Sequence, residues 1–212
     1  IRRTDGDFVW LHDFHLQHHF VSEFDIHAVK ENFQAAFAAI WRKRMDSDPF
    51  NRLVLSCGLK WREVVLLRAY ACYMRQTLFN FADTYIANAL VNHSSLTRLL
   101  IDLFNAKFDP VFNMGIKANK DVIDSCRQKI LQGLNKVENL NEDRIVRRYL
   151  AMIDSSVRTN YYQTTEEGIE KDYLSIKLSP RTILDIPEPR PLYEIFVFSP
   201  RVEGVHLRSA KV

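Results

Sequence analysis

The sequence predicts a mainly α protein: a multi-helix bundle with short β segments at the N-terminus and an α+β or all-β C-terminal portion. Three observations predict it. Apolar residues recur every three or four positions from about residue 25 to residue 163. The period changes to strict alternation near both ends, around "DFVWLHDFHL" and from "YLSIKLS" onward. Capping or stopping residues mark several ends of the periodic runs: Asp25, "DSDP", Gly58, Ser94 or Ser95, "FDP" and Asn141.

In chain order, Phe8, Trp10, His12, Phe14 and Leu16 share one face of an extended segment, and Val9, Leu11, Asp13, His15 and Gln17 share the other. Asp5-Gly6 before it is a hairpin-type turn. Residues 1–24 therefore read as a strand remnant of an upstream sheet plus a linker. Asp25 caps a helix that carries Val29, Phe33, Ala36, Phe37, Ile40 and Trp41 inward and stops at "RKRMDSDP". A short helix over "PFNRLVLSC" ends at Gly58. The next, "LKWREVVLLRAYACYMRQTL", has one apolar stripe of Trp61, Val64, Val65, Ala69, Cys72 and Tyr73 and a second of Leu66, Leu67, Tyr70 and Met74. A helix apolar on two sides is covered by neighbours, so this one is central.

Further helices are expected over 82–92, over 94–108 with Ser94 or Ser95 as cap, and over 118–137. The last begins at an Asn141 cap and runs toward Gln163, with Ile145, Tyr149, Met152, Ile153 and Ser156 buried. Beyond the connector "TTEEGIEKD", the segments "YLSIKLS", "YEIFVFS" and "VEGVHLR" are strand-like, and "IPEPRP" is a stiff link. The expected division is 1–24, a helical domain over 25–163, and 164–212 as connector and first strands of a further domain.

Composition narrows the function classes. The 212 residues are 47% hydrophobic and 26% charged with a net charge of +3, which gives no nucleic-acid or membrane-surface signal. No apolar run approaches the roughly 18 residues that cross a bilayer, and no signal peptide is visible. The chain starts without Met, and both ends stop inside strand patterns, so it reads as a piece of something longer. Cys57, Cys72 and Cys126 are an odd count without CxxC spacing, which points to reduced thiols and a cytoplasmic location.

Each candidate constellation has a plainer reading. Five of the seven histidines (His12, His15, His18, His19 and His27) lie close together. On a strand His12 and His15 point to opposite faces, with no acidic partner at ligand spacing, so solvated loop histidines are expected and no metal site. Glu166, Glu167, Glu170 and Asp172 read as a solvated acidic loop rather than an acid–base pair. Arg144, Arg147, Arg148 and Arg158 lie off the buried stripe of their helix, where ion pairing and solvation are expected. The three cysteines sit at or beside apolar positions and read as inert. There is no GxGxxG, GxxxxGK[ST], GxSxG or HExxH. No catalytic, cofactor-binding or metal residue is assigned.

Longer strings carry more information. "FNRLVL", "WREVVLLRAYACYMRQ", "TRLLIDLFNAKFDP", "EDRIVRRYLAMIDSSVRTNYYQ" and "YLSIKLSPRTILDIPEPRPLYEIFVFSPRVEGVHLR" resemble the large bacterial NAD-dependent glutamate dehydrogenases, in order from Asp7 onward. The resemblance implies that 1–24 ends an ACT-like regulatory domain, that 25–163 is the helical region, and that 164–212 opens the catalytic substrate-binding domain. It implies a parent enzyme that converts L-glutamate, NAD and water to 2-oxoglutarate, ammonia and NADH. It also implies homo-oligomeric, tetrameric assembly, with no nucleic acid and no membrane. NAD would serve the parent, and none would be bound by this segment, because the family's glycine-rich segment lies beyond Val212. Arg208 and Lys211 approach that segment without belonging to it. The segment itself is expected to couple regulatory and catalytic regions and to be inactive alone. The rival expectation is a free-standing helical binding or regulatory module.

Overall fold

Eight apolar residues of one helix decide the architecture. Val64, Leu66, Leu67, Ala69, Tyr70, Ala71, Tyr73 and Met74 are all 0–1% exposed, so the helix that carries them is enclosed on every side, as its two apolar stripes predict. In the computed structural model, which describes residues 6, 8–13, 26–111, 116–188 and 190–209, this is α3, Trp61–Gln76.

Around it run α1 (Ile26–Trp41), α2 (Leu53–Ser56), α4 (Asp83–Asn92), α5 (Ser94–Phe108), α6 (Ile116–Leu134) and α7 (Leu140–Ser155). They are followed by one antiparallel sheet of β1 (Ser156–Thr159), β2 (Leu174–Leu178), β3 (Tyr193–Ser199) and β4 (Val202–Arg208), in the order β1-β2-β3-β4. The mainly α class with a β C-terminal portion is what the sequence predicts.

α1 packs through small residues. Ala36 and Ala39 are buried, and this lets the helix lie close to α2 and α3. The expectation that Phe37 and Trp41 point inward is wrong. They are 51% and 80% exposed and stack on each other at 6.4 Å. The 100° step per residue puts them opposite the alanine face. Asp25, the expected cap, lies outside the described residues.

The α4–α5 corner is as tight as the sequence predicts, but its cap differs. His93 alone joins the helices, its N–H donating to the Ala89 carbonyl and its own carbonyl accepting from Thr97 N at 2.9 Å. The cap position is therefore His93 and not Ser94 or Ser95, which already lie inside the helix. At α7 the cap is Asn139 rather than Asn141: its side-chain oxygen accepts from Asn141 N and Glu142 N.

α7 stops eight residues short of Gln163. Ser156 closes it by donating its hydroxyl to the Met152 carbonyl, and the β-branched Val157 and Thr159 then leave as β1, paired with β2. In the sheet, Ile176 lies opposite Phe196, which lies opposite Val205. Leu174, Ile176, Leu178, Phe196 and Phe198 form the inner face, in one core with α3 and α7. β4, at the edge, is exposed except at Val205.

The expected strand over residues 8–16 is not present in its described part. Phe8 makes an isolated bridge, and residues 9–13 have no regular structure, with Trp10 80% and Leu11 77% exposed. Alternation specifies a strand only where one face is covered, and neither face is covered here. Residues 14–16 lie outside the described set.

Candidate functional site

The junction between α3 and the sheet is held by buried polar bonds. Tyr73 Oη donates to a Glu194 carboxylate oxygen at 2.5 Å. Tyr70 Oη lies 2.9 Å from Ser156 Oγ, and Tyr149 Oη donates to the Leu67 carbonyl at 2.9 Å. Burial is the main cause that pushes all three phenols above their ordinary range. For Tyr73 the hydrogen bond to Glu194 and its charge push the same way. These hydroxyls are fixed, neutral donors suited to holding elements together rather than to proton transfer.

At the N-terminal end of α3, the connection 160–173 is fastened by arginines and rings. Arg62 donates to the carbonyls of Tyr161 (2.7 Å) and Lys171 (3.1 Å) and lies 3.5 Å from a Glu170 oxygen. Its guanidinium sits 4.9 Å over the Tyr161 ring, while that of Arg44 sits 4.9 Å over Trp61 and bonds Asp172 at 2.9 Å. Asn160 locks the base of the loop, donating to the Tyr173 carbonyl and accepting from Ser175 N. The acidic patch thus splits. Glu166 and Glu167 are solvated as expected, but Glu170 and Asp172 are drawn to Arg62 and Arg44. Nothing in the spacing of the four acids showed this. The one available signal was "KWR" at the start of a helix.

An open cleft of about 440 Å³ lies beside this fastening, lined by Asn32, Arg62, Glu63, Asn105 and Tyr162 among others. Its one enclosed carboxylate is already committed: Glu63 accepts from Lys60 N at 2.8 Å and lies 3.5 Å from Arg98. The arrangement can hold a polar group, but it offers no nucleophile paired with a base.

The other flagged residues scatter. His12 and His27 are exposed on different elements, and His15, His18 and His19 lie outside the described residues. Among the described residues no three His, Cys, Asp or Glu side chains converge as metal ligands would. His93, which drew no notice in the sequence, is 2.7 Å from Glu142 and ties the α4–α5 corner to α7. Arg147 pairs with Asp143 at 2.8 Å, and Arg158 is exposed on β1. Arg148 departs from the expected surface position: it is buried, donates to the Leu184 carbonyl at 3.0 Å and lies 4.7 Å over Phe79. Burial pushes the thiols of Cys57 and Cys72 up to about 12 and raises Cys126 as well.

A dinucleotide needs a parallel strand–helix–strand unit with a glycine-rich turn at the helix N-terminus. The sheet is antiparallel throughout. Gly58 (φ +61°) precedes α3, but its carbonyl is taken by Arg98 at 2.6 Å and Asn32 at 3.2 Å. The first turn of α3 is already served by Glu63. The described residues do not fit a dinucleotide.

Comparison with known proteins follows these elements. Residues 129–212 match the family described as bacterial NAD-glutamate dehydrogenase, catalytic domain, and residues 45–110 match glutamate dehydrogenase, helical motif 3. NAD-specific glutamate dehydrogenases of Halomonas elongata, Pseudomonas aeruginosa and Mycobacterium tuberculosis are 46%, 44% and 39% identical over the whole of this chain. The chain matches a segment of the bacterial NAD-glutamate dehydrogenases. It spans 13% of the length of each of these relatives. In this glutamate dehydrogenase segment the catalytic-domain match begins inside α6 and takes in α7 and the whole sheet. The helical-motif match covers the turn at residues 49–52 and α2 to α5. Tyr73–Glu194 and Tyr70–Ser156 are therefore bonds from one match to the other. Among the described residues no helix is long and apolar enough to cross a membrane.

Proposed function

We propose that this chain is the part of an NAD-dependent glutamate dehydrogenase in which the helical region passes into the catalytic domain. Its own work is mechanical coupling rather than chemistry. The parent reaction is oxidative deamination of L-glutamate to 2-oxoglutarate and ammonia, and bound NAD supplies the hydride acceptor. Identity over the full chain supports the parent activity. The observation that carries the coupling role is the buried Tyr73–Glu194 bond, inside one core shared by α3, α7 and the sheet. A packed core transmits displacement because it has little free volume to absorb it. The sheet cannot shift relative to α3 without breaking that bond.

The proposed layout keeps residues 1–24 with an ACT-like regulatory region, 25–163 as helical region and 164–212 as the opening of the substrate-binding domain. No catalytic, cofactor or metal residue is assigned within the chain, and Arg208 and Lys211 stay neighbours of the site rather than members. The parent works in the cytoplasm as a homo-oligomer, a tetramer by this reading, with the rest of its own chain as principal partner. The test is glutamate-dependent formation of NADH, followed by absorbance. The 212-residue chain should give none and a full-length relative should give a steady rate. Turnover by the segment alone would refute the assignment.

A further inference from the structure

A second cleft, of about 510 Å³, opens on the outer face of α7 and is closed on one side by the β2–β3 connection. Three arginines line it: Arg147, already paired with Asp143, and Arg144 and Arg148, one helical turn apart. The latter two lie near Phe79, at 5.9 Å and 4.7 Å from the ring, and Arg148 is also bonded to the Leu184 carbonyl. Their charges are poorly compensated. Arg144 makes no ion pair among the described residues, and its like charge opposes that of Arg148, which burial already disfavours. Of the five N–H donors of Arg148 one serves the Leu184 carbonyl.

No carboxylate among the described residues forms an ion pair with either arginine. Asp154 is held by Arg127 at 2.7 Å and Asp143 by Arg147, while Asp185 attracts Arg148 without bonding it and offsets the repulsion from Arg144. A pair of like charges, one of them desolvated, is costly unless an anion joins it. Leu131, Leu150 and Ile183 supply apolar walls beside it.

We infer that this cleft is a binding site for a small molecule that carries an oxyanion, carboxylate or phosphate, on an apolar or planar body. The oxyanion bridges Arg144 and Arg148, and the body lies against the leucine and isoleucine walls. Fork-shaped guanidinium donors suit such groups. The ligand would touch α7 and the β2–β3 connection together and so clamp that connection to the helices. The inference stands apart from the dehydrogenase reading, because binding is measured directly.

Calorimetric titration of the 212-residue chain with inorganic phosphate and with phenyl phosphate tests it, with ionic strength held constant by chloride. Both should bind, phenyl phosphate more tightly because it also covers the walls. Arg144→Gln, a change at an exposed position, should weaken both by about ten-fold or more, while Arg158→Gln on β1 should change neither. Absence of binding beyond the chloride control would overturn the site, as would equal affinity in Arg144→Gln and the unmodified chain. A loss in Arg158→Gln as large as in Arg144→Gln would mean diffuse charge attraction and no built site. Equal affinity for the two phosphates would remove the apolar walls from the proposal.

Discussion

Glu194 is a carboxylate on the inner face of a sheet otherwise lined by leucine, isoleucine and phenylalanine, and Tyr73 is its hydrogen-bond donor. Removing that donor leaves a buried acceptor unmet, which costs more than the bond itself contributes. Tyr73→Phe should therefore destabilise the chain by about 1–3 kcal/mol in urea titrations. Glu194→Gln, which keeps an acceptor, should cost less; the reverse order would show that the bond does not hold the junction. The thiols give a pH signature. With Cys57 and Cys72 raised from 9.0 to about 12, their contribution to stability is complete below about 9 and is lost as pH rises from there toward 12. Near pH 8 a thiol-specific disulfide reagent should label the native chain slowly and the denatured chain at once, with the buried Cys72 slowest. Rapid native labelling would contradict it. The inert character of these thiols was legible from their apolar neighbours. The burial of Arg148 was only half legible: three after Ile145 and four before Met152, it sits at the edge of the stripe, and Phe79 and the β2–β3 connection cover it.

Helix ends show how local rules and packing share control. α3 closes with Leu78 in the left-handed region (φ +57°), Leu78 N bonding the Arg75 carbonyl and Phe79 N the Met74 carbonyl. That is the Schellman arrangement, with leucine where glycine is usual. Leu78 is 68% exposed, so its side chain contributes little, while Phe79 beside it is buried. Leu78→Gly should stabilise by about 0.5–1 kcal/mol in thermal unfolding, and a loss would mean the leucine packs in a way its exposure conceals. At α7, Asn139→Ala should cost about 1 kcal/mol, and Asn141→Ala much less, since Asn139 is the cap. The existence and order of α1 and α3 to α7 were legible because each carries an apolar period over several turns, while the one-turn α2 was marked by Pro49 before it and Gly58 after it. Caps were less so, because "NLNED" and "NHSS" each offer more than one capping side chain, and tertiary geometry picks among them.

For the molecule as a whole, the loop over 160–173 is the most separable part, since its hold on the helices runs largely through Arg62, Arg44 and the rings beneath them. Arg62→Met keeps the aliphatic stem and removes the donors to Tyr161 and Lys171. Trypsin should then cut after Lys171 several-fold faster than in the unmodified chain, because cleavage follows local opening. An unchanged rate would assign the hold to the Asn160 bonds at the loop's base.

The sequence by itself determined the class, the central helix, the three C-terminal strands and the family, because each rests on a long pattern or string. Only the tertiary structure decided the rest. It turned "SVRT" from helix to strand by offering β2 as partner, left residues 9–13 without a strand by offering no covered face, and turned Phe37 and Trp41 outward. It also brought Tyr73 to Glu194 and Arg148 beneath Leu184 across long stretches of chain. Such contacts depend on where distant elements meet, and a local pattern of residues carries no record of that meeting.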